Sequence, residues 1–146
     1  MPDGLGPETI LAFDFGLRRI GVAVGQTVTA SASPLGIVDN GPGGPDQARI
    51  AALIKEWQPA RLVVGMPAHA DGSPSDMQAS VRAFIAGLEQ HALPVATVDE
   101  RYSSIEAEAA LKGARAAGSR GRITRAAIDS AAAVLIAERY LAARGF

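Results

Sequence analysis

Five carboxylates stand where a sheet enzyme could use them: Asp14, Asp71, Asp99, Glu100 and Asp129. Asp14 lies between two apolar runs, Ile10–Phe13 and Gly21–Gly25, in the stretch Asp14-Phe15-Gly16-Leu17-Arg18-Arg19-Ile20-Gly21. A hairpin there needs a turn, but neither an acid nor a basic pair. Asp99 and Glu100 close a later apolar run, Asp71 follows another in a loop, and Asp129 falls early in the last helical segment. Central strand ends in an α/β sheet converge on one crevice. Carboxylates gathered in such a crevice repel one another unless a cation neutralises them. Oxygen-only ligands suit Mg²⁺ or Mn²⁺, and two such ions about 4 Å apart activate water and stabilise the leaving oxygen of a phosphodiester.

Each acid also has a plainer explanation. Asp14 before a glycine suits a turn, as does Asp71-Gly72, and Asp99-Glu100-Arg101 would serve as a cap with an exposed ion pair. Asp129 could be a solvated helix residue, but its neighbours Ile128, Ala132, Ala133 and Ile136 are apolar, which turns it toward a core. His69 and His91 have no evident partner and suggest neither a metal nor a base. The joint placement of the acids carries more than any one of them.

Basic residues supply the complement. Lys112 to Arg125, KGARAAGSRGRITR, contains three glycines, five basic residues and no acid. Such a segment is either a solvated linker or a mobile arm for phosphate backbones. From Arg101 to Phe146 there are eight basic and four acidic residues, a local +4 in a chain of net charge −1. A phosphate-bearing partner on one side of the molecule would fit that polarity, while near-neutrality excludes a histone-like coat.

The elements that must position these groups follow an α/β order. Ile10–Phe13, Ile20–Val24 and Pro34–Val38 read as a three-strand meander, and Gly41-Pro42-Gly43-Gly44-Pro45 as a loop. Asp46 caps a helix to Gln58 with Ile50, Leu53, Ile54 and Trp57 on one face, ended by Pro59. Leu62–Gly65 is wholly apolar, as a strand buried on both faces requires. Ser73-Pro74-Ser75-Asp76 starts a helix with Met77, Val81, Phe84, Ile85 and Leu88 as its stripe. Pro94–Val98 is a further strand. Ser103-x-x-Glu106 opens a helix to about Leu111, and a last helix runs from about Arg125 to Ala143. The expectation is one domain, residues 1–146, with a mixed sheet of about five strands and helices on both faces; residues 1–8 form a flexible N-terminus and 112–125 a mobile basic loop. No cysteine is present, which excludes disulfides and thiolate-bound zinc and suits a reducing compartment. The opening MPDGLGPE lacks the features of a signal peptide, and the longest apolar run, Ala131–Ala137, is far short of the ~20 residues of a membrane span. A cytoplasmic protein without a membrane partner, monomer or non-disulfide homodimer, is expected.

Four motifs in order, LAFDFGLRRIGVAVG, LVVGMPAHADGS followed by VRAF, VDERYSS and IDSAAAVLI, resemble the YqgF/RuvX family of pre-16S rRNA nucleases. These are relatives of RuvC-type Holliday-junction resolvases, and the resemblance covers about Ile10 to Leu141. It implies an RNase H-like fold, with Asp14, Glu100 and Asp129 as catalytic metal ligands, and Arg19 and Arg101 matching the family's arginines. Gly16 would let the strand turn while a substrate backbone comes close. Arg18, Arg19, Arg101, Arg115, Arg120, Arg122 and Arg125 would meet phosphate. There are departures: Ser103-Ser104 stands for the usual Thr-Thr, and Ala68-His69-Ala70 for a bulkier Leu-Asn-Met. Resolvases of the RuvC type carry a glutamate at the end of the fourth strand, where this chain has Val64-Gly65-Met66-Pro67, so the second carboxylate must be Glu100, Asp99 or Asp71. Alternation along Val98-Asp99-Glu100 sends the two acids to opposite faces; the family pattern favours Glu100.

The resulting expectation is an endonuclease, dependent on one or two Mg²⁺ or Mn²⁺ ions, acting on structured nucleic acid: precursor rRNA, at the 5′ end of 16S rRNA, or branched DNA. Two other classes stay open, a catalytically weak nucleic-acid-binding factor of ribosome assembly or transcription, and an actin-like ATPase or sugar kinase. The last would need two such domains and an adenosine pocket.

Overall fold

The computed structural model describes residues 8–67, 77–99 and 125–145, with side chains of the last segment from Ser130 onward. Along the chain run β1 (Thr9–Asp14), β2 (Arg19–Gln26), β3 (Ser31–Gly41), β4 (Gly44–Pro45), α1 (Gln47–Trp57), β5 (Arg61–Met66), α2 (Gln78–Glu89), β6 (Val95–Asp99) and α3 (Arg125–Ala143). The six strands form one sheet in the order β4-β3-β2-β1-β5-β6. β1 to β4 pair antiparallel as a meander, whereas β5 lies parallel to β1 and β6 parallel to β5. This is the expected mixed α/β sheet.

Alternation along each strand divides the core. Leu11 and Phe13 of β1 face α1 and α2, joined by Ile20, Val22, Leu62 and Val64 from the sheet and by Ile50, Leu53, Val81, Phe84 and Leu88 from the helices. Ile10 and Ala12 face α3, with Val63 and, from the helix, Ile136, Ala137, Tyr140 and Leu141. Helices therefore cover both faces, and Ile10 to Phe13 are completely buried, as a central strand should be. Close approach of α3 needs small residues: a Cβ on Gly25 would stand 3.0 Å from Ile10 Cγ1 and 3.5 Å from Ala137 Cβ. Each fully buried large apolar side chain contributes about 1.5–3 kcal/mol. The two clusters, rather than any single turn contact, hold β1 in place.

The helix ends follow from chemistry visible in the sequence. Asp46 caps α1 by accepting from the Arg49 amide at 3.1 Å. Gln58, at φ 46°, closes it in the left-handed conformation, its amide donating to the Ile54 carbonyl at 2.8 Å. In α2 the expected stripe is present, with Val81, Phe84 and Leu88 buried and Ile85 partly so. The expected start at Ser73–Asp76 lies outside the described residues, as do the helix from Ser103 to Leu111, most of the basic loop and residues 1–7.

Two expectations need correction. The third strand is longer than Pro34–Val38, and the glycine- and proline-rich segment after it is a hairpin: Gly41 pairs with Gly44 and Asn40 with Pro45. Only Pro42 and Gly43 remain as the turn. Glycine and proline signal a bend, but a two-residue bend leaves its flanks free to pair through backbone groups. An irregularity in the β2–β3 ladder between Val22 and Ala23 coincides with Gly36, at φ 125°.

Candidate active site

Asp14 is the last residue of β1 and pairs with Gly21 across the hairpin, so the turn of residues 15–18 begins directly beyond the carboxylate. It continues the series Ile10, Ala12, Asp14, and alternation puts it on the α3 face at the C-terminal end of a central strand. It is half-buried and engaged in an interaction within the protein. Leu17, Arg18 and Arg19 are exposed at the tip of the turn, and Arg19 also has a partner.

The N-terminus of α3 lies toward the Asp14 end of the sheet. Ser130, 2% exposed, donates from Oγ to the Gly36 carbonyl at 2.8 Å, and Gly36 is in register with Val22 and hence with Phe13. Near the helix C-terminus, Arg61 Nη1 donates to Tyr140 Oη, and Arg61 is in register with Ile10. α3 thus runs against β1, starting over β3, two strands and about 10 Å to the side. Position 129 precedes Ser130 by one residue and stands three, four and seven residues before the buried Ala132, Ala133 and Ile136. Helical periodicity gives it their sheet-facing side.

β6 ends with Asp99 exposed and in register with Met66. Val95 and Met66 pack toward α1 and α2, and Ala96 and Val98 toward α3, so Asp99 has the parity of the α1–α2 face. Its carbonyl accepts from Arg139 Nη1 at 3.1 Å. Of the remaining expected site residues, Asp71, Glu100, Arg101, Arg115, Arg120 and Arg122 lie outside the described residues, as do the side chains of Arg125 and Asp129. Among the described residues no three acids or histidines stand together as a metal site.

Gly16 lets the chain turn, as expected. A Cβ there would fall 2.4 Å from the Arg19 carbonyl oxygen. The turn's own backbone, with no ligand needed, requires the glycine.

Sequence reading missed Asn40. Its side chain, 8% exposed, donates from Nδ2 to the Gly16 carbonyl at 2.8 Å, and its amide donates to the Arg18 carbonyl at 2.9 Å. One residue therefore ties β3 to the turn beyond Asp14 at two points. No local signal pointed to this role, since Asn40 and Gly41 lie in the strand and the turn itself is Pro42-Gly43. Asn40→Ala is expected to lower stability by about 1 kcal/mol, the usual net worth of such a bond. Asn40→Asp should cost more, about 1–3 kcal/mol, because it sets an acceptor against the Gly16 carbonyl. Urea melts of the two variants check this order; equal stability of all three proteins would mean that the turn does not depend on Asn40.

The family model RuvX, described as Holliday junction resolvase, matches residues 8–143. A protein of Azotobacter vinelandii carrying the name "Putative pre-16S rRNA nuclease" is 43% identical over 141 residues, 95% of this chain and 96% of that relative. A Chromohalobacter salexigens protein of the same name is 46% identical over 138 residues, 94% of this chain and 91% of its own. In three dimensions the chain resembles T. thermophilus RuvC in complex with a Holliday junction substrate, with a TM-score of 0.58 and 17% identity over 94% of this chain and 95% of that one. The yeast mitochondrial Holliday junction resolvase Ydc2 matches at a TM-score of 0.50 and 10% identity, over 92% of this chain and 78% of its own. The fold is that of the RuvC-like resolvases, and with a match from one end of the sheet to the last helix, the chain belongs to the RuvX family.

Proposed function

We propose that the chain is a nuclease that hydrolyses phosphodiester bonds in nucleic acid, with Asp14, Glu100 and Asp129 as its catalytic carboxylates. The observation that carries this reading is one of parity. Asp14 continues the α3 face of β1, Ala96 and Val98 hold that face of β6, and position 129 lies on the sheet-facing side of α3. Were the strand to continue one residue past Asp99, alternation would bring Glu100 to that face. Asp14 and the start of α3 share one end of that layer, and the proposal places Glu100 with them.

The donor chemistry suits a hard divalent cation. Three carboxylates offer only oxygen, and the chain has no cysteine to favour a softer metal. Mg²⁺ or Mn²⁺, when bound, would supply the Lewis acid that hydrolysis at neutral pH requires. Asp14, Glu100 and Asp129 would hold it, and Arg18 and Arg19, exposed beside Asp14, would orient the phosphate.

For the substrate we infer precursor 16S rRNA, because relatives that match over nine-tenths of the chain are named for a pre-16S rRNA nuclease; a cut near its 5′ end, in the cytoplasm, completes the proposal. The family description and the RuvC likeness favour a second reading, resolution of four-way DNA junctions. A panel of labelled precursor rRNA, four-way junctions and single strands, each with Mg²⁺ or Mn²⁺, separates the two. Discrete cuts in the rRNA leader support the first, and symmetric junction nicks the second. Tight binding without cuts in any substrate would leave a binding factor and contradict the nuclease.

The basic segment gives a further expected outcome. Replacing Arg115, Arg120, Arg122 and Arg125 with Ala should weaken binding and flatten its salt dependence, by a slope of up to ~0.9 per lost contact to a duplex phosphate. An unchanged slope in a salt titration would reduce residues 112–125 to a linker.

A further inference from the structure

On the face of the sheet opposite Asp14, a cavity of about 260 Å³ opens between the first turn of α1 and the outer side of α2. Phe15, Asn40, Gln47, Ser80, Phe84 and Gly87 define it. We propose that this cavity is a subsite for one unstacked nucleobase of the substrate strand, next to the cleavage position. The proposal rests on the nuclease reading for the presence of a strand at Asp14; the pocket itself is argued from its own walls.

Size comes first. Pockets for drug-sized ligands run to about 300–1,000 Å³, so this one suits a single planar heterocycle rather than a whole nucleotide with its neighbours. The walls are of two kinds. Phe15 is half-buried and packs on Phe84 with ring centroids 5.3 Å apart and planes tilted by 43°, and Phe84 in turn meets Phe13 edge-on at 5.6 Å. This ladder of rings runs from the core to the cavity and fixes the Phe15 ring, a rigid face for stacking. The polar wall is unengaged. Neither the Asn40 oxygen, the Gln47 amide nor the Ser80 hydroxyl makes a hydrogen bond among the described residues. Asn40 is oriented because its amide nitrogen donates to the Gly16 carbonyl. A fixed acceptor, a free amide and a hydroxyl around an aromatic face match the edge of a base and the face of a base together.

Position supports the same occupant. Phe15 follows Asp14 directly, and alternation sends the two to opposite faces of the sheet end. A strand whose phosphate lies at Asp14 can place an adjacent base over that end and onto Phe15. Leu17, 65% exposed, stands with Arg18 on the turn between the two faces, where the backbone would pass.

Gly87 makes the idea testable without touching the carboxylates. It lies on α2 facing the cavity, and a Cβ there would meet nothing within 4 Å. Gly87→Leu therefore fills the pocket, and replacing glycine inside a helix favours the helix. The probe is a fluorescent RNA strand, with a single abasic site moved through the sequence, and binding is read by anisotropy without divalent metal. The proposal predicts one position at which loss of the base weakens wild-type binding about 5- to 150-fold, the range of one base–aromatic stack. In Gly87→Leu that sensitivity disappears. Gln47→Ala with Ser80→Ala, a second variant outside the carboxylate site, should reduce it. A flat abasic profile in the wild type, or the same sensitive position in Gly87→Leu, overturns the pocket. The nuclease reading is judged apart: cleavage with a flat profile sinks only the pocket, and a position-specific profile without cleavage sinks only the nuclease.

Discussion

Asp14→Asn should lose cleavage by roughly a thousandfold or more while keeping its fold and its affinity for nucleic acid. Electrostatic stabilisation by a bound cation is worth several kcal/mol in the transition state, and about 1.4 kcal/mol is a factor of ten. An amide oxygen is a weak substitute for a carboxylate at such a position. The fold should survive because what holds this strand is elsewhere. Ile10 to Phe13 are fully buried between two helical layers, and the ladder from Asp14 to Gly21 is made by backbone groups. The turn keeps both of its ties to Asn40. Nucleic-acid affinity should persist because the arginines remain. Single-turnover cleavage, a thermal melt and an anisotropy titration on one preparation check the three parts. A variant that unfolds would make Asp14 a structural turn residue, and one that cleaves normally would remove it from chemistry.

The second large effect separates two neighbouring acids. Glu100→Gln should abolish cleavage, again by about three orders of magnitude on the same electrostatic reasoning, whereas Asp99→Asn should leave most of it. The β6 register gives the reason. Asp99 is opposite Met66 and has the parity of Val95, toward α1 and α2, and Asp14 has the parity of Val98, toward α3. Asp99 also has other work, since its carbonyl accepts from Arg139 on α3; an Asn at that position keeps this backbone contact. Cleavage rates of the two variants beside wild type decide the matter. Should Asp99→Asn prove the more damaging, the strand parity assigned to the metal-binding acids is wrong, and Glu100 loses its place.

Much of this geometry was legible before any coordinates, and the reason lies in periodicity. Apolar runs of four or five residues marked β1, β2 and β5, and the stripe of Val81, Phe84 and Leu88 marked α2, because burial on a fixed face repeats with the period of the element. Asp46, Gln58 and Pro59 bounded α1 by capping chemistry that is local. The apolar side of α3 was marked in the same way by Ala132, Ala133 and Ile136, all buried. What escaped was non-local. Ser130 donates to a carbonyl 94 residues away, and Asn40 holds a carbonyl 24 residues away. Nothing near either residue announces its partner. Gly16, by contrast, answers to a local need that the sequence showed, since the atom a Cβ would meet is the Arg19 carbonyl oxygen three residues on. The β3–β4 hairpin was hidden because strand pairing through backbone groups leaves little trace in composition.

The central claim, a divalent cation held by carboxylates at the end of β1, is tested most directly by the metal dependence of cleavage. The purified chain is mixed in excess with end-labelled precursor 16S rRNA and, separately, a four-way junction, and the single-turnover rate is followed as Mn²⁺ or Mg²⁺ is raised from zero in the presence of a chelator. The account predicts no cleavage without metal, a rate that rises and saturates with it, and discrete products from one of the two substrates. Cleavage that persists in the chelator, or intact substrates at saturating metal, would contradict it.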